Sequence, residues 1–532
     1  MLPSVVWIAL DNAVWPWDQA WYGEVSFDLW ATLQDAQRAW PDAMVSAFGS
    51  KAPGIAWLGQ FFLPLGRIIG DQRALLASVV VCQIGALAMM FGICRRLGGG
   101  VLVAFAGTLV LGASPLFVWA THEYLTEPLQ TLTVVWSLLL LTLAGRTANP
   151  LAIGAQLPGV VAVALLAKLS SPLYIALPIA ATAALLIPGI LQGSHRRSAW
   201  LRAPTAVAAA AGSTVAMVGA GGWYIVNIDE TFAHARLARA DTGLYGTERR
   251  LGAELSEWTA RLADSTFLPA VSVGMGLVVL IALGWKLLRG SRVRLNRRLV
   301  VAGVCLAEAC LVLIAFATQP NEEARFLLPA VPFVAVLIAI AVAGAPRVLL
   351  AIAVALLSVE LLFVTLQGFG VAPVDRLTYY RLGAPQRDPA LRTELEQLVD
   401  LTCTARSAGR ITIVAAEHPW FNANTLAMIA SGRNSRVERK CYYTSLGYAE
   451  SDAARAWERI RALDPPYILA IDYGTVGNQL LPAIRVEAGR IDPFNRVNRA
   501  VIRRVRKAEA FDVLPGSRAH GFVIFEQVEE IG

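Results

Sequence analysis

Trp15-Pro-Trp-Asp-Gln-Ala-Trp-Tyr-Gly-Glu-Val-Ser-Phe-Asp28 sets three carboxylates, Asp18, Glu24 and Asp28, among five aromatic rings. Asp11 lies just ahead of it, and a short apolar run, Met1–Leu10, precedes both. Acids in such a place face either water or a site. What surrounds them decides which.

Outward from that stretch the chain is mostly apolar. Of 532 residues, 56% are hydrophobic and 16% charged, and the mean hydropathy is +0.53. This balance excludes disorder and an ordinary soluble enzyme, and it places the chain among polytopic membrane proteins. The formal charge of +7 could suggest a nucleic-acid surface, but its location argues otherwise. Arg95, Arg96, Arg146, Arg196, Arg197, Arg202, Lys286, Arg289, Arg292, Arg294, Arg297, Arg298 and Arg347 all sit in or beside short loops that contain no acid. The remainder of the chain is net acidic. This is the positive-inside bias of a membrane protein, and it excludes a nucleic-acid partner.

A membrane helix needs roughly 20 apolar residues. Met1–Leu10 is too short by itself and lacks a basic signal-peptide start, so the chain is read as beginning inside its first span. Residues 11–72 form a first extracytoplasmic loop with interfacial helices, one of them over Asp28–Trp40 with Pro41 as its stop. Further spans are expected at 73–94, 99–119, 127–145, 156–170, 172–192, 204–227, 267–288, 299–317, 326–344 and 347–367. With the first piece the total is about eleven. If the basic loops are cytoplasmic, this parity puts 11–72, 120–126, 228–266, 318–325 and the C-terminal region outside. Asp18, Glu24, Glu123, Glu127, Glu322 and Glu323 then gather on one outer face.

After residue 368 the composition becomes that of a soluble domain. Strands are expected at Ile411–Ala416, Arg439–Thr444, Tyr467–Asp472, Ala510–Leu514 and Phe522–Phe525, with helices between them. That alternation describes an α/β domain whose parallel or mixed sheet is covered on both faces. The domains are therefore 1–368, a transmembrane body, and 369–532, an extracytoplasmic α/β domain. Disulfides persist outside the cytoplasm, so Cys403 and Cys441 are expected to pair, the alternative being two separate thiols. No CxxC occurs and the five histidines are scattered, so no metal site is expected.

Four short patterns fall where this topology gives them meaning, and each has a plain alternative. Asp18-Gln-Ala-Trp-Tyr22 is also what a solvated loop with interfacial aromatics looks like. Lys51-Ala-Pro53 precedes an apolar helix, where lysines commonly snorkel. Leu125-Thr-Glu127-Pro-Leu is also ordinary helix-start chemistry, an acid at the positive dipole end with Pro in the first turn. Glu323-Ala-Arg325-Phe-Leu-Leu-Pro329 is different, because an outer arginine runs against the positive-inside trend and needs a partner or an anionic ligand. Intramembrane Glu308 and Glu360 suggest function by their cost, but with no relay partner in view they read as interhelical hydrogen-bonding groups. Arg496, Arg499, Arg503, Arg504, Arg506 and Lys507 form a basic helix that either rests on anionic lipid or is solvated. No nucleotide fingerprint occurs.

Taken together, the four patterns resemble the GT-C superfamily of integral membrane glycosyltransferases. The nearest branch is that of the dolichyl-phosphate-mannose protein mannosyltransferases and aminoarabinose lipid A transferases. Ala162–Pro172, with Lys168, resembles the lysine-bearing helix of those enzymes, and Gly222-Trp-Tyr224 resembles their Pro-Trp-Tyr segment. Two departures stand out. The family's frequent Asp-Glu pair is Asp18-Gln19, and its Lys/His-Pro-Pro is Lys51-Ala52-Pro53. The single acid gives a metal-dependent variant no support.

The resemblance implies an inverting transferase of the bacterial inner membrane, with a polyprenyl-phosphate-linked sugar as donor and an extracytoplasmic lipid, glycan or protein as acceptor. Asp18 is the candidate base, which takes the acceptor's proton. Arg325, Lys168 and Lys51 are the candidate cations for the departing phosphate. Glu127, Glu123, Tyr22, His122 and Glu24 are candidates for placing the acceptor or holding a cation. For His122 a passive role stays open beside a positioning one. A transporter or flippase of lipid-linked sugars is the rival class, and a GT-C fold that binds without catalysing is a third. No internal repeat of the transporter kind is visible.

Overall fold

The computed structural model describes residues 1–98, 100–144, 150–192, 204–239, 251–289, 297–319, 323–371, 383–386, 390–433, 440–447, 450, 452–471, 492–514 and 522–528. Glu322, the loop arginines Arg146, Arg196, Arg197, Arg202, Arg292 and Arg294, and the side chain of Arg496 lie outside the described residues. The chain divides into two compact units. One comprises Met1–Ala9, Met44–Leu58 and Arg73–Pro385. The other comprises Leu10–Ala43, Gly59–Gln72 and Gln386–Gly532.

The first unit is a bundle of apolar helices. Among the described residues, eight helices are long and apolar enough to cross a membrane, or nine if one bent pair counts as a single span. This is a multi-pass membrane protein. Helices occupy all the positions where eleven spans were expected, but not all at full length. Leu2–Leu10 has only nine residues, and the described apolar part of another helix, Pro172–Ile187, is also short for a span.

The bent pair is Val101–Gly112 and Pro115–Thr121, which meet at 63°. Ser114-Pro115 makes the break. Proline cannot continue the preceding helix but suits the first turn of a new one. Ser114 Oγ caps that turn by accepting from Phe117 N at 3.2 Å, and it donates to Ser265 O at 2.7 Å.

Cations cap carbonyls at one end of this bundle. Lys286 Nζ donates to Ile340 O at 2.9 Å and Ala341 O at 2.8 Å, and Arg297 donates to Leu141 O at 2.9 Å. Both exploit the negative dipole ends of helices. Glu360 is fully buried and accepts from Leu268 N at 2.8 Å, so this intramembrane acid satisfies the start of helix Pro269–Leu288.

The second unit carries the α/β fold. Its strands are β1 (Ile411–Val414), β2 (Tyr442–Ser445), β3 (Tyr467–Ile471), β4 (Phe511–Val513) and β5 (Phe522–Gln527). Their order is β2-β1-β3-β5-β4. β2, β1 and β3 run parallel, whereas β5 is antiparallel to both β3 and β4. Every residue of β3 is buried, as a central strand covered on both faces requires.

One face packs on Leu395, Leu398 and Leu426 of helices Ala390–Thr402 and Ala423–Arg433. The other packs on Trp457, Ile460, Val501 and Val505 of helices Ala453–Leu463 and Asp492–Val505. Helix Trp17–Asp35 belongs to this unit and lies against Ala423–Arg433. Cys403 and Cys441 are joined in a disulfide with Cα atoms 5.6 Å apart.

Candidate functional site: a carboxylate between two cations

In the first unit, the sequence brings three charged residues together at helix ends. Glu127 opens helix Glu127–Ala144. Lys168 lies where helix Leu157–Ala167 stops, its backbone extended at φ −164° and ψ 141°. Arg325 sits in the 3-10 turn Ala324–Ala330, whose Pro329 prevents an ordinary helical start. Glu127 Oε1 is 2.7 Å from Lys168 Nζ and 3.7 Å from Arg325 Nε. Arg325 also pairs with Glu323.

Burial separates the roles of these groups. The Glu127 side chain is 2% exposed, while Lys168 is 26% and Arg325 19% exposed. The acid is thus an internal anchor, and the two cations keep open faces. Phe326 forms the floor: Lys168 Nζ lies 3.9 Å from its ring centre and the Arg325 guanidinium 5.5 Å. Tyr174 fixes that floor by donating to Phe326 O at 2.6 Å. Gln130 adds a bond to Ser171 at 3.2 Å, tying helix Glu127–Ala144 to the turn after Lys168. The result is a preorganised cluster of two acids and two part-exposed cations gathered over one ring.

Sequence reasoning missed the residues that extend this floor. Phe326 stacks on Phe316 at 5.9 Å, and Phe316 stacks on Trp258 at 5.1 Å. Arg261 lies 5.0 Å from the Trp258 ring and pairs with Glu257. Trp258 and Arg261 come from the amphipathic helix Leu251–Thr266. A signal was present: Arg261, like Arg325, is an arginine in an expected outer loop.

Other candidates in this unit fall nearby in the fold. Gly54, three residues after Lys51, abuts the end of the Lys168 helix so closely that a Cβ there would be 2.6 Å from Leu166 O. Tyr124 donates to Ile55 O at 2.9 Å, and Trp223 donates to Ala47 O at 2.8 Å. The Lys51-Ala-Pro segment is thereby held against the lysine-bearing helix. His122 stacks flat on Trp7, centroids 4.1 Å apart, and burial pushes its imidazole down to about 3. It is therefore neutral at ordinary pH. Glu123 is half-buried beside it. Among the described residues no group of three or more His, Cys, Asp or Glu is arranged to hold a metal.

Asp18, Tyr22 and Glu24 belong to the second unit, all on helix Trp17–Asp35. Asp18 is half-buried in its first turn, where the helix dipole favours a carboxylate. Tyr22 is buried. Glu24 lies one turn before Asp28, and burial, then the Asp28 charge, raise its carboxyl to about 8 despite Lys440. Asp28 accepts from Ser431 Oγ at 3.1 Å and forms an ion pair with Lys440.

The apolar helical bundle and the small mixed sheet in one chain give this multi-pass membrane protein the GT-C fold. Within it, the chain is similar along nearly its whole length to ArnT from Cupriavidus metallidurans. With ArnT bound to undecaprenyl phosphate, the TM-score is 0.58 at 14% identity, covering 99% of this chain and 97% of that one. With ArnT in the apo state it is 0.53 at 12% identity, covering 98% and 95%. No protein-family model matches the sequence, and no curated protein does.

Proposed function

We propose that the protein is a glycosyltransferase that moves a sugar from a polyprenyl phosphate to an acceptor outside the cytoplasm, in a bacterial inner membrane. The observation that carries this reading is the buried Glu127 holding Lys168 while Lys168 and Arg325 keep open faces. A solvated surface would not bury the acid and leave the cations accessible. ArnT, whose fold this chain shares, was captured with undecaprenyl phosphate, which supports a prenyl phosphate as the anionic ligand.

In the proposed reaction, Asp18 takes the proton of the acceptor hydroxyl. The acceptor oxygen attacks the sugar's anomeric carbon, and the bond from that carbon to the phosphate oxygen breaks. Polyprenyl phosphate leaves with the bonding electrons, and the configuration inverts. Lys168 and Arg325 stabilise the charge that grows on the leaving phosphate, with Lys51 as a further cation. Glu127 sets the direction of Lys168. Acceptor placement is assigned to Tyr22, Glu24, Glu123 and neutral His122, and the C-terminal domain is oriented outside the cytoplasm.

The test separates binding from turnover. Asp18→Asn is expected to bind undecaprenyl phosphate like the parent while losing turnover of an undecaprenyl-phosphate-linked sugar. Lys168→Met with Arg325→Gln is expected to lose the binding itself. Unchanged undecaprenyl phosphate affinity in that double variant would sink the proposal.

A further inference from the structure

We infer that Glu417 and Trp17 bind the acceptor, and that the acceptor is a carbohydrate whose hydroxyls meet the carboxylate while its ring lies on the indole. The inference deepens the reading above and rests on it for the role of Asp18. Every residue it uses belongs to the second unit.

The sheet fixes where a ligand would sit. β1 lies between β2 and β3. From β1 the chain passes to helix Ala423–Arg433 on one face, while Ala453–Leu463 and Asp492–Val505, the described helices on either side of β3 in sequence, lie on the other. The strand order therefore reverses at β1. Open α/β sheets bind ligands outside the carboxyl ends of their strands at such a point. Glu417 lies just beyond the carboxyl end of β1.

The segment after β1 is built as a fixed turn. His418 N donates to Phe421 O at 3.1 Å, and Phe421 N donates back to His418 O at 3.2 Å. Asn422 Nδ2 donates to His418 O at 2.9 Å, and Asn422 Oδ1 accepts from Thr425 N at 3.1 Å. Phe421 is buried against Phe522 of β5, ring centres 4.5 Å apart. His418 is buried too, in the field of Arg499 on helix Asp492–Val505. Glu417, between this turn and the strand, is only half-buried.

The start of helix Trp17–Asp35 is tied to the same turn. Trp15 O accepts from Thr425 Oγ1 at 3.0 Å, Trp17 O accepts from Asn424 Nδ2 at 3.4 Å, and the Trp17 indole N–H donates to the Glu417 carboxylate. Trp17 is nevertheless 38% exposed. A pair serving only the fold would be buried, whereas both of these partners keep an open face. A carboxylate has about four acceptor positions, more than one indole donor uses. A sugar ring presents several hydroxyls beside an apolar C–H face, which matches a carboxylate beside an indole. A serine or threonine side chain, with its single hydroxyl, would use only part of that surface. Asp18 follows Trp17 in the first turn of the helix. Consecutive Cα atoms are about 3.8 Å apart, so an acceptor held at Trp17 is held beside the proposed base.

The experiment uses the full chain in lipid nanodiscs at pH 8, above the value of about 7 to which burial raises Glu417. The probes are the methyl glycosides of mannose, galactose, N-acetylglucosamine and arabinose, with binding read by saturation-transfer NMR. At least one is expected to bind saturably. Glu417→Gln and Trp17→Ala are each expected to weaken it about tenfold or more, with undecaprenyl phosphate affinity unchanged. Trp17→Phe, which keeps an aromatic face, is expected to retain more affinity than Trp17→Ala and guards against a variant that fails to fold. Absence of saturable binding by all four glycosides overturns the inference, also where a serine-containing peptide binds instead. Parent-like affinity in folded Glu417→Gln or folded Trp17→Ala overturns it as well. Transfer from undecaprenyl-phosphate-linked sugars, followed alongside, separates the two levels. Glycoside binding without any transfer keeps the surface but removes its role as an acceptor site, together with the transferase reading. Transfer that Asp18→Asn abolishes, with no glycoside binding, keeps that reading and removes the carbohydrate.

Discussion

Glu127 is worth more to the first unit than its single charge suggests, because it is the member of its ion pair that cannot reach water. Breaking a buried pair costs about 3–5 kcal/mol when the orphaned charge stays buried, and much less when it can turn to solvent. Lys168→Met leaves the buried carboxylate only Arg325 at 3.7 Å, whereas Glu127→Gln frees two part-exposed cations, so Lys168→Met is expected to lower the unfolding temperature in detergent more than Glu127→Gln does. Equal shifts would show that Glu127 is solvated.

A second expectation concerns pH and the acids of the other unit. An unfolded Glu24 titrates near 4.5, while burial and Asp28 raise the folded group to about 8. Between those values the folded state holds the extra proton, so Glu24's contribution to stability falls as pH rises and that contribution is fully lost above about 8. Glu417, raised to about 7 by burial, acts with the same sign. His418, lowered to about 4 by burial and by Arg499, acts oppositely, and only below its ordinary 6.5. The window from 6.5 to 8 thus separates these two acids from His418. Chemical denaturation should show stability falling across it, and Glu24→Gln should flatten the part above pH 7.

At the scale of elements, single hydrogen bonds and single glycines decide where helices begin. Glu360 accepts the Leu268 N–H at the start of Pro269–Leu288. Glu360→Ala leaves that donor without its acceptor and is expected to cost about 1–3 kcal/mol. Glu360→Gln keeps an acceptor oxygen and should cost less, which thermal unfolding of the two variants in one detergent checks. Gly54→Ala places a carbon against Leu166 O, and backbone cannot move aside as a side-chain tip would. The Lys51 segment must then shift away from the Lys168 helix, with weaker binding of undecaprenyl phosphate as the measured result.

Much of this level was legible from pattern. Long apolar runs gave the spans, because length and hydropathy are read residue by residue. The strands of the sheet were legible as short β-rich runs between polar turns. The bend at Ser114-Pro115 was not, because an unbroken apolar run hides a capping serine. Helix Leu251–Thr266 was also missed, since its role depends on an aromatic stack that reaches Phe326 through Phe316, far along the chain. Glu127, Lys168 and Arg325 were each visible as candidates, but the burial that makes one an anchor and two of them open cations has no local sequence signature.

For the molecule as a whole, composition marks a change after residue 368, yet compactness groups Leu10–Ala43 and Gly59–Gln72 with Gln386–Gly532. Composition cannot reveal such an assembly, because its partners are separated by some four hundred residues, as Trp15 and Thr425 are. The consequence is physical. Val14 is part of the cluster that covers one sheet face, and helix Trp17–Asp35 packs on Ala423–Arg433. A fragment of 386–532 alone would expose that helix face together with Met428 and the unpaired Lys440. It is therefore expected to aggregate or to melt without a cooperative transition. A fusion of residues 10–43 to 386–532 through a flexible Gly/Ser linker restores the covering helix and the Asp28–Lys440 pair, and it should give a monomer with a single sharp transition by circular dichroism and size-exclusion chromatography. Lys440→Met in the fusion should lower that transition. Should the short fragment prove monomeric and melt at the temperature of the fusion, helix Trp17–Asp35 contributes nothing to the fold of the unit.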